Sequence, residues 1–151
     1  VTDQINVFAI VTSLMHMVWL KTIGGKLETR YQYSKNVVYN TFPFPSISQT
    51  QREELNKYSY MVLEERESNP EKTLAQLYDP NEMPVGLKEA HHKLDLAVER
   101  CYRSKPFEND DERMTHLFAL YEKMIIDEKS KQGELLFSDT ALKKKKGGRY
   151  A

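Results

Sequence analysis

The sequence has one cysteine, Cys101, in 151 residues. That excludes an intramolecular disulfide and any cysteine-built metal cluster, and suits a reducing, cytoplasmic setting. A long uninterrupted apolar run is also missing. Residues 5–20 come nearest, but Asn6, Thr12, Ser13 and His16 interrupt them, and a spanning helix needs roughly 18–20 predominantly apolar residues. No basic stretch precedes this run and no small-residue cleavage site follows it, so it reads as a buried helix with no membrane role. There is no phosphate-binding loop, dinucleotide glycine motif, nucleophile elbow or paired zinc-ligand motif. Nor is there the Asn/Asp-Pro-Pro-aromatic motif with which amino-methyltransferases hold a flipped base. No catalytic residue, cofactor loop or metal site is therefore assigned.

What is present is an ordinary globular balance of 40% hydrophobic and 29% charged residues. The net charge of zero hides an uneven distribution. In residues 1–45, Lys21, Lys26, Arg30 and Lys35 outnumber Asp3 and Glu28, whereas residues 46–140 carry 13 basic and 20 acidic side chains. Lys143, Lys144, Lys145, Lys146 and Arg149 make the end of the chain basic. An acidic middle repels phosphate, so contacts to nucleic acid are expected from the ends. The tetralysine run suits phosphate, but a solvated tail is the plainer reading.

The patterning predicts a mainly α fold: a small helical bundle preceded by a helix and a short β-hairpin. The first helix spans about residues 4–23 and stops at Gly24-Gly25. Period two follows. Lys26, Glu28, Arg30, Gln32 and Ser34 alternate with Leu27, Thr29, Tyr31 and Tyr33, as in a half-buried strand over residues 26–34. A turn at residues 34–36 and a second strand at 37–39 complete the hairpin. Thr41-Phe42-Pro43-Phe44-Pro45 is too rich in proline for helix or central strand and marks a domain boundary, 1–45 against 46–131. Ser48 with Gln51 forms a capping-box pattern opening a helix to about residue 68. A short helix over 71–78, a third over 84–103 and a fourth over 110–131 follow, the last capped by Asn109 or Asp110. The short connections favour neighbouring packed helices, with 46–131 folding by itself. Residues 132–151 are expected to be a disordered tail, since periodicity fades after Gly133.

Two groups invite chemistry. His91, His92 and Asp95 share a helix, but a third ligand is missing and the helical i, i+4 pair is the plainer reading. His16 reads as a core histidine and Cys101 as a small core residue. The polar face of residues 26–34 is more informative. Arg suits guanine, Glu the cytosine amino group and Gln adenine, although an ordinary solvent-facing strand has the same look.

The run Thr12-Ser13-Leu14-Met15-His16-Met17-Val18-Trp19, followed by Gly24-Gly25-Lys26-Leu27, Tyr31-Gln32-Tyr33-Ser34 and Val38-Tyr39-Asn40-Thr41-Phe42-Pro43-Phe44-Pro45, resembles the end of the target-recognition domain of MmeI-like DNA methyltransferases. Leu74-Ala75-Gln76-Leu77-Tyr78-Asp79-Pro80, Met83-Pro84, Leu87, Ala90-His91, Leu94-Asp95, Val98 through Tyr102 and Leu117-Phe118-Ala119-Leu120-Tyr121-Glu122 resemble that family's helical C-terminal domain. The match runs over roughly residues 8–126, in order. It implies a fragment of a larger bacterial protein whose upstream domain binds S-adenosylmethionine and methylates adenine N6 in double-stranded DNA, in many members fused to restriction activity. It implies Glu28, Arg30 and Gln32 as base-reading candidates, with Lys21, Lys26 and Lys35 expected on phosphates. The expected partners are duplex DNA and the upstream methyltransferase domain. The competing reading is a helical protein–protein interaction module without direct DNA contact.

Overall fold

In the computed structural model the backbone is described for residues 2–24, 26–27, 30–31 and 39–147, and side chains for 4–24 and 39–136. Six α-helices occupy the described residues: α1 (Thr2–Val11), α2 (Leu14–Ile23), α3 (Gln49–Glu67), α4 (Leu74–Leu77), α5 (Val85–Tyr102) and α6 (Asp110–Gly147). The mainly α class is as expected. Helix α3 packs along α5 and α1, and α2 lies against α6.

The expected single helix over residues 4–23 is two helices, bent by 61° at Thr12-Ser13. Hydroxyls cause the break by competing for backbone groups. Thr12 Oγ1 donates to Phe8 O at 2.7 Å, Ser13 Oγ donates to Ile10 O at 2.6 Å, and Ser13 then caps α2 by accepting from His16 N. Asp95 completes the elbow from α5, its Oδ1 accepting from Leu14 N at 2.9 Å. Among the described residues no single helix is long and apolar enough to cross a membrane.

The later helix starts follow local chemistry. Ser48 and Gln51 form a reciprocal capping box, as do Thr73 and Gln76. Asn109 Oδ1 accepts from Glu112 N at 2.8 Å and caps α6. Pro84 opens α5 without a side-chain cap. The Glu65 carboxylate instead lies against Gly86, in the space an added Cβ would occupy. An anion there suits the positive end of α5. Beyond residue 131 the expectation of a disordered tail gives way to helix, which runs through Gly133 to Gly147. Interior glycine costs only about 1 kcal/mol, and the flanking Glu, Leu, Ala and Lys are good helix formers.

The expected hairpin of strands 26–34 and 37–39 is not supported. What exists is a two-residue antiparallel ladder, β1 (Lys26–Leu27) with β2 (Arg30–Tyr31), pairing Lys26 with Tyr31 and Leu27 with Arg30. Lys26–Leu27 and Arg30–Tyr31 thus belong to two antiparallel strands, and one strand over 26–34 is not supported; residues 28, 29 and 32–34 lie outside the described residues. The expected turn and second strand over residues 34–39 lie almost wholly outside the described residues.

One core serves the whole described chain. Ala9, Ile10, Met15, Trp19 and Phe42 join Leu55, Val62, Leu87, Leu94, Val98 and Leu117 in a single cluster. The proline-rich segment is thus part of the core: Phe42 is 1% exposed and Pro43 is fully buried. A core continuous across residue 45 also means that residues 46–131 alone would leave their α1–α2 contact surface bare. Beneath it, Glu99, 3% exposed, pairs with Arg113 Nε at 2.7 Å, tying α5 to α6.

Trp19 is fully buried at the centre of this packing. Trp19→Ala should cost about 3–5 kcal/mol, measured by urea denaturation followed by far-UV circular dichroism. A loss below about 1 kcal/mol would show that α2 is not held by its tryptophan.

Candidate nucleic-acid interface

The sequence placed its candidate contacts between residues 21 and 35, and the geometry shows how that segment is mounted. Its leading end is α2. Met15, His16, Val18 and Trp19 of this helix are buried, while Lys21 in the last turn is exposed. A lysine there complements the partial negative charge of the helix end. Gly24 caps α2, its N–H donating to Leu20 O at 2.9 Å, and leads into β1.

The segment's far end is fixed by aromatic packing. Tyr39 stacks on Phe44 at 5.2 Å, and Phe44 on Phe42 at 5.1 Å. Phe42 in turn meets His16 at 4.6 Å and Trp19 at 6.2 Å, all as edge contacts. Trp19 Nε1 donates to Thr41 Oγ1 at 3.2 Å, and its ring lies 5.4 Å from Phe118 and 5.7 Å from Tyr121 of α6. Tyr102 Oη donates to Pro43 O at 2.8 Å, and burial holds its phenol well above the ordinary range. Residues 24 and 39 are thus both anchored to one helical body.

Arg30 lies in β2 paired with Leu27, and Lys26 in β1 paired with Tyr31. Glu28, Gln32 and Lys35 lie outside the described residues. The other sequence candidates are committed locally. His91 Nε2 pairs with Tyr78 Oη at 2.7 Å, and burial, then the charge of Arg66, lowers its pKa. Asp95 belongs to the α1–α2 elbow. Among the described residues no three His, Cys, Asp or Glu side chains converge as a metal site. Cys101 is half-buried, its thiol pushed up to about 11 mainly by burial and bonded to Ala97 O.

Sequence reasoning missed two things. The domain boundary placed at residues 41–45 holds a core pair, Phe42 and Pro43, both buried. The cluster of Arg66, Tyr78 and His91 joins three helical segments and left no local trace.

Comparison with known proteins agrees along the chain. Residues 1–46 match the family model described as MmeI, target recognition domain, and residues 47–127 match MmeI, C-terminal domain. DNA methyltransferase A of Bacillus subtilis (strain 168) is 46% identical over 121 residues, which are 80% of this chain and 14% of that protein. The solved structure of the type IIL restriction–modification enzyme MmeI in complex with DNA superposes with a TM-score of 0.77 at 39% identity, covering 80% of this chain and 16% of that one. The chain thus spans about one seventh of the length of these relatives.

The elbow also carries a pH signature. Burial pushes the Asp95 carboxyl up to about 6, against the Leu14 N–H, which favours the carboxylate. An unfolded Asp titrates near 3.9. Its stabilising contribution is therefore full below about pH 4 and is lost as the pH rises through about 6. His16 acts in the opposite sense: burial lowers it to about 4, so its contribution is lost as the pH falls from about 6.5. Asp95→Asn keeps an acceptor for Leu14 N–H and removes the first titration alone. The stability of this variant minus that of the native chain should be lowest near pH 4. It should rise by on the order of 2 kcal/mol by pH 7 in urea titrations. A flat difference would show that Asp95 ionises like a solvated carboxylate.

Proposed function

This chain belongs to the MmeI family, and from that premise we propose that it is the part of a site-specific DNA methyltransferase that presents a recognition segment to duplex DNA, without transferring methyl groups itself. The observation that carries this reading is the mounting of residues 25–38. Both ends are fixed to one aromatic-packed helical body, so the intervening side chains meet a duplex from a base that need not be ordered on binding. The helical domain acts as a platform, and the acidic excess of residues 46–140 disfavours phosphate there. That DNA methyltransferase A and the DNA-bound MmeI are the relatives supports the same reading.

In this proposal Glu28, Arg30 and Gln32 read base edges, while Lys21, Lys26 and Lys35 contact phosphates. Lys26 and Arg30 belong to different strands of one antiparallel pair, so the bases addressed need not follow the spacing of a single strand. The methyl donor is S-adenosylmethionine and the target adenine N6, both handled by the remainder of the parent protein. The residues of this chain include no glycine-rich cofactor loop and no motif for a flipped base, so they hold no group for the transfer.

Two outcomes test this. Isothermal calorimetry of the isolated chain with S-adenosylmethionine should give no binding, and a micromolar site would overturn the assignment. In the parent enzyme, Glu28→Lys combined with Arg30→Asp should change the sequence methylated in a randomised duplex library, each contact being worth about 1–3 kcal/mol of discrimination. Lys21→Ala should instead weaken all sequences alike and reduce the salt slope by about 1. An unchanged preference at near-normal activity in the double variant would remove Glu28 and Arg30 from base reading.

A further inference from the structure

A groove of about 450 Å³ opens beside the α1–α2 elbow, between the ends of α3 and α4 and the flank of α5. Its walls are mostly apolar, with Leu14, Met17 and Met83 prominent among them. One cation lines it. The Arg66 guanidinium lies 5.6 Å from the ring centre of Phe8 and 5.1 Å from that of Tyr78, and its Nε donates to Tyr78 Oη at 2.7 Å. The same hydroxyl pairs with His91 Nε2 at 2.7 Å. Two aromatic contacts and a hydrogen bond thus fix this guanidinium, while its two Nη groups make no hydrogen bond or ion pair among the described residues. The acid that lines the groove, Asp95, is bonded to Leu14 N and forms no ion pair with Arg66.

An arginine held in place with its fork open matches a planar, two-oxygen anion. The surroundings choose which. The walls are apolar, so a duplex phosphodiester, hydrated on every side, would lose its hydration there and offer nothing apolar to fill the groove. A carboxylate joined to an apolar side chain satisfies both halves of the groove.

We propose that this groove is a docking site for an acidic–apolar segment of the parent polypeptide, a Glu or Asp side chain next to a leucine-sized one, with Arg66 taking the carboxylate. The choice of partner rests on the reading of this chain as part of a larger methyltransferase. The groove would hold the helical platform against the parent's other domains, on a surface separate from the recognition segment.

The test has two arms. The chain, labelled with 13C in its methionine methyl groups, is titrated with N-acetyl-leucine, with N-acetylleucinamide, with inorganic phosphate and with a 20-base-pair duplex. N-acetyl-leucine should shift the Met17 and Met83 methyl signals saturably. The amide, and N-acetyl-leucine with Arg66→Gln, should bind at least about 10-fold more weakly, and Arg66→Lys should lie between. Unchanged Trp19 fluorescence shows that the variants remain folded. Equal response to acid and amide would overturn the proposal, as would Arg66-dependent shifts with phosphate or duplex, or concentration-dependent shifts without any probe. In the parent enzyme, Arg66→Gln should increase release of this region by limited proteolysis while the methylated sequence stays the same. Unaltered proteolysis would sink the intramolecular partner, and altered sequence preference would move Arg66 to the DNA interface. The first arm reads the groove whether or not the methyltransferase reading holds.

Discussion

The courses of α2 and of the segment after residue 39 depend on how one large side chain is buried. Trp19 sits where α2, α6 and the segment after residue 39 meet, and it has no exposed surface. Its ring contacts Phe42, Phe118 and Tyr121, and its indole N–H reaches Thr41. Aromatic side chains bury large areas and prefer such inclined contacts. The cluster therefore fixes the direction of α2 as well as its depth. Because α2 leads to Gly24, and Tyr39 packs onto the same aromatic group through Phe44, residues 24 and 39 are both fixed to the helical body.

Polar contacts then set the angles that hydrophobic packing leaves free. The 61° bend between α1 and α2 is made by hydroxyls at Thr12 and Ser13, and a carboxylate from α5 meets the freed amide of Leu14. The buried pair of Glu99 and Arg113 fixes α6 to α5, with Phe107 N also donating to Glu99. Such pairs are poor evidence of net stability but leave an uncompensated charge if broken, which fixes their geometry. The remaining charge is uneven: residues 46–140 carry 20 acidic and 13 basic side chains, whereas Lys21, Lys26, Arg30 and Lys35 make residues 21–35 basic.

The elements made by neighbouring residues were legible. Ser48 with Gln51 announced α3, Asn109 announced α6, and Pro84 marked the start of α5, because a cap is settled within about four residues. Leu55, Leu87, Leu94 and Leu117, all buried, lie within the helices those patterns predict. The single first helix gave way to two because periodicity reports which side of a chain is apolar, but says little about where hydroxyls or a distant carboxylate will interrupt it.

The family, the helical class, the caps and the uneven charge can be read from the order of residues, since each depends on that order or on contacts within a turn or two. The candidate readers can be named the same way, because resemblance transfers residue by residue along the chain. That Phe42 and Pro43 at the domain boundary are core, that Asp95 serves the elbow, and that Arg66, Tyr78 and His91 form one cluster follows from long-range packing. Those outcomes join residues 12 to 81 positions apart. Such contacts form only when the apolar faces pack and bring the distant partners together.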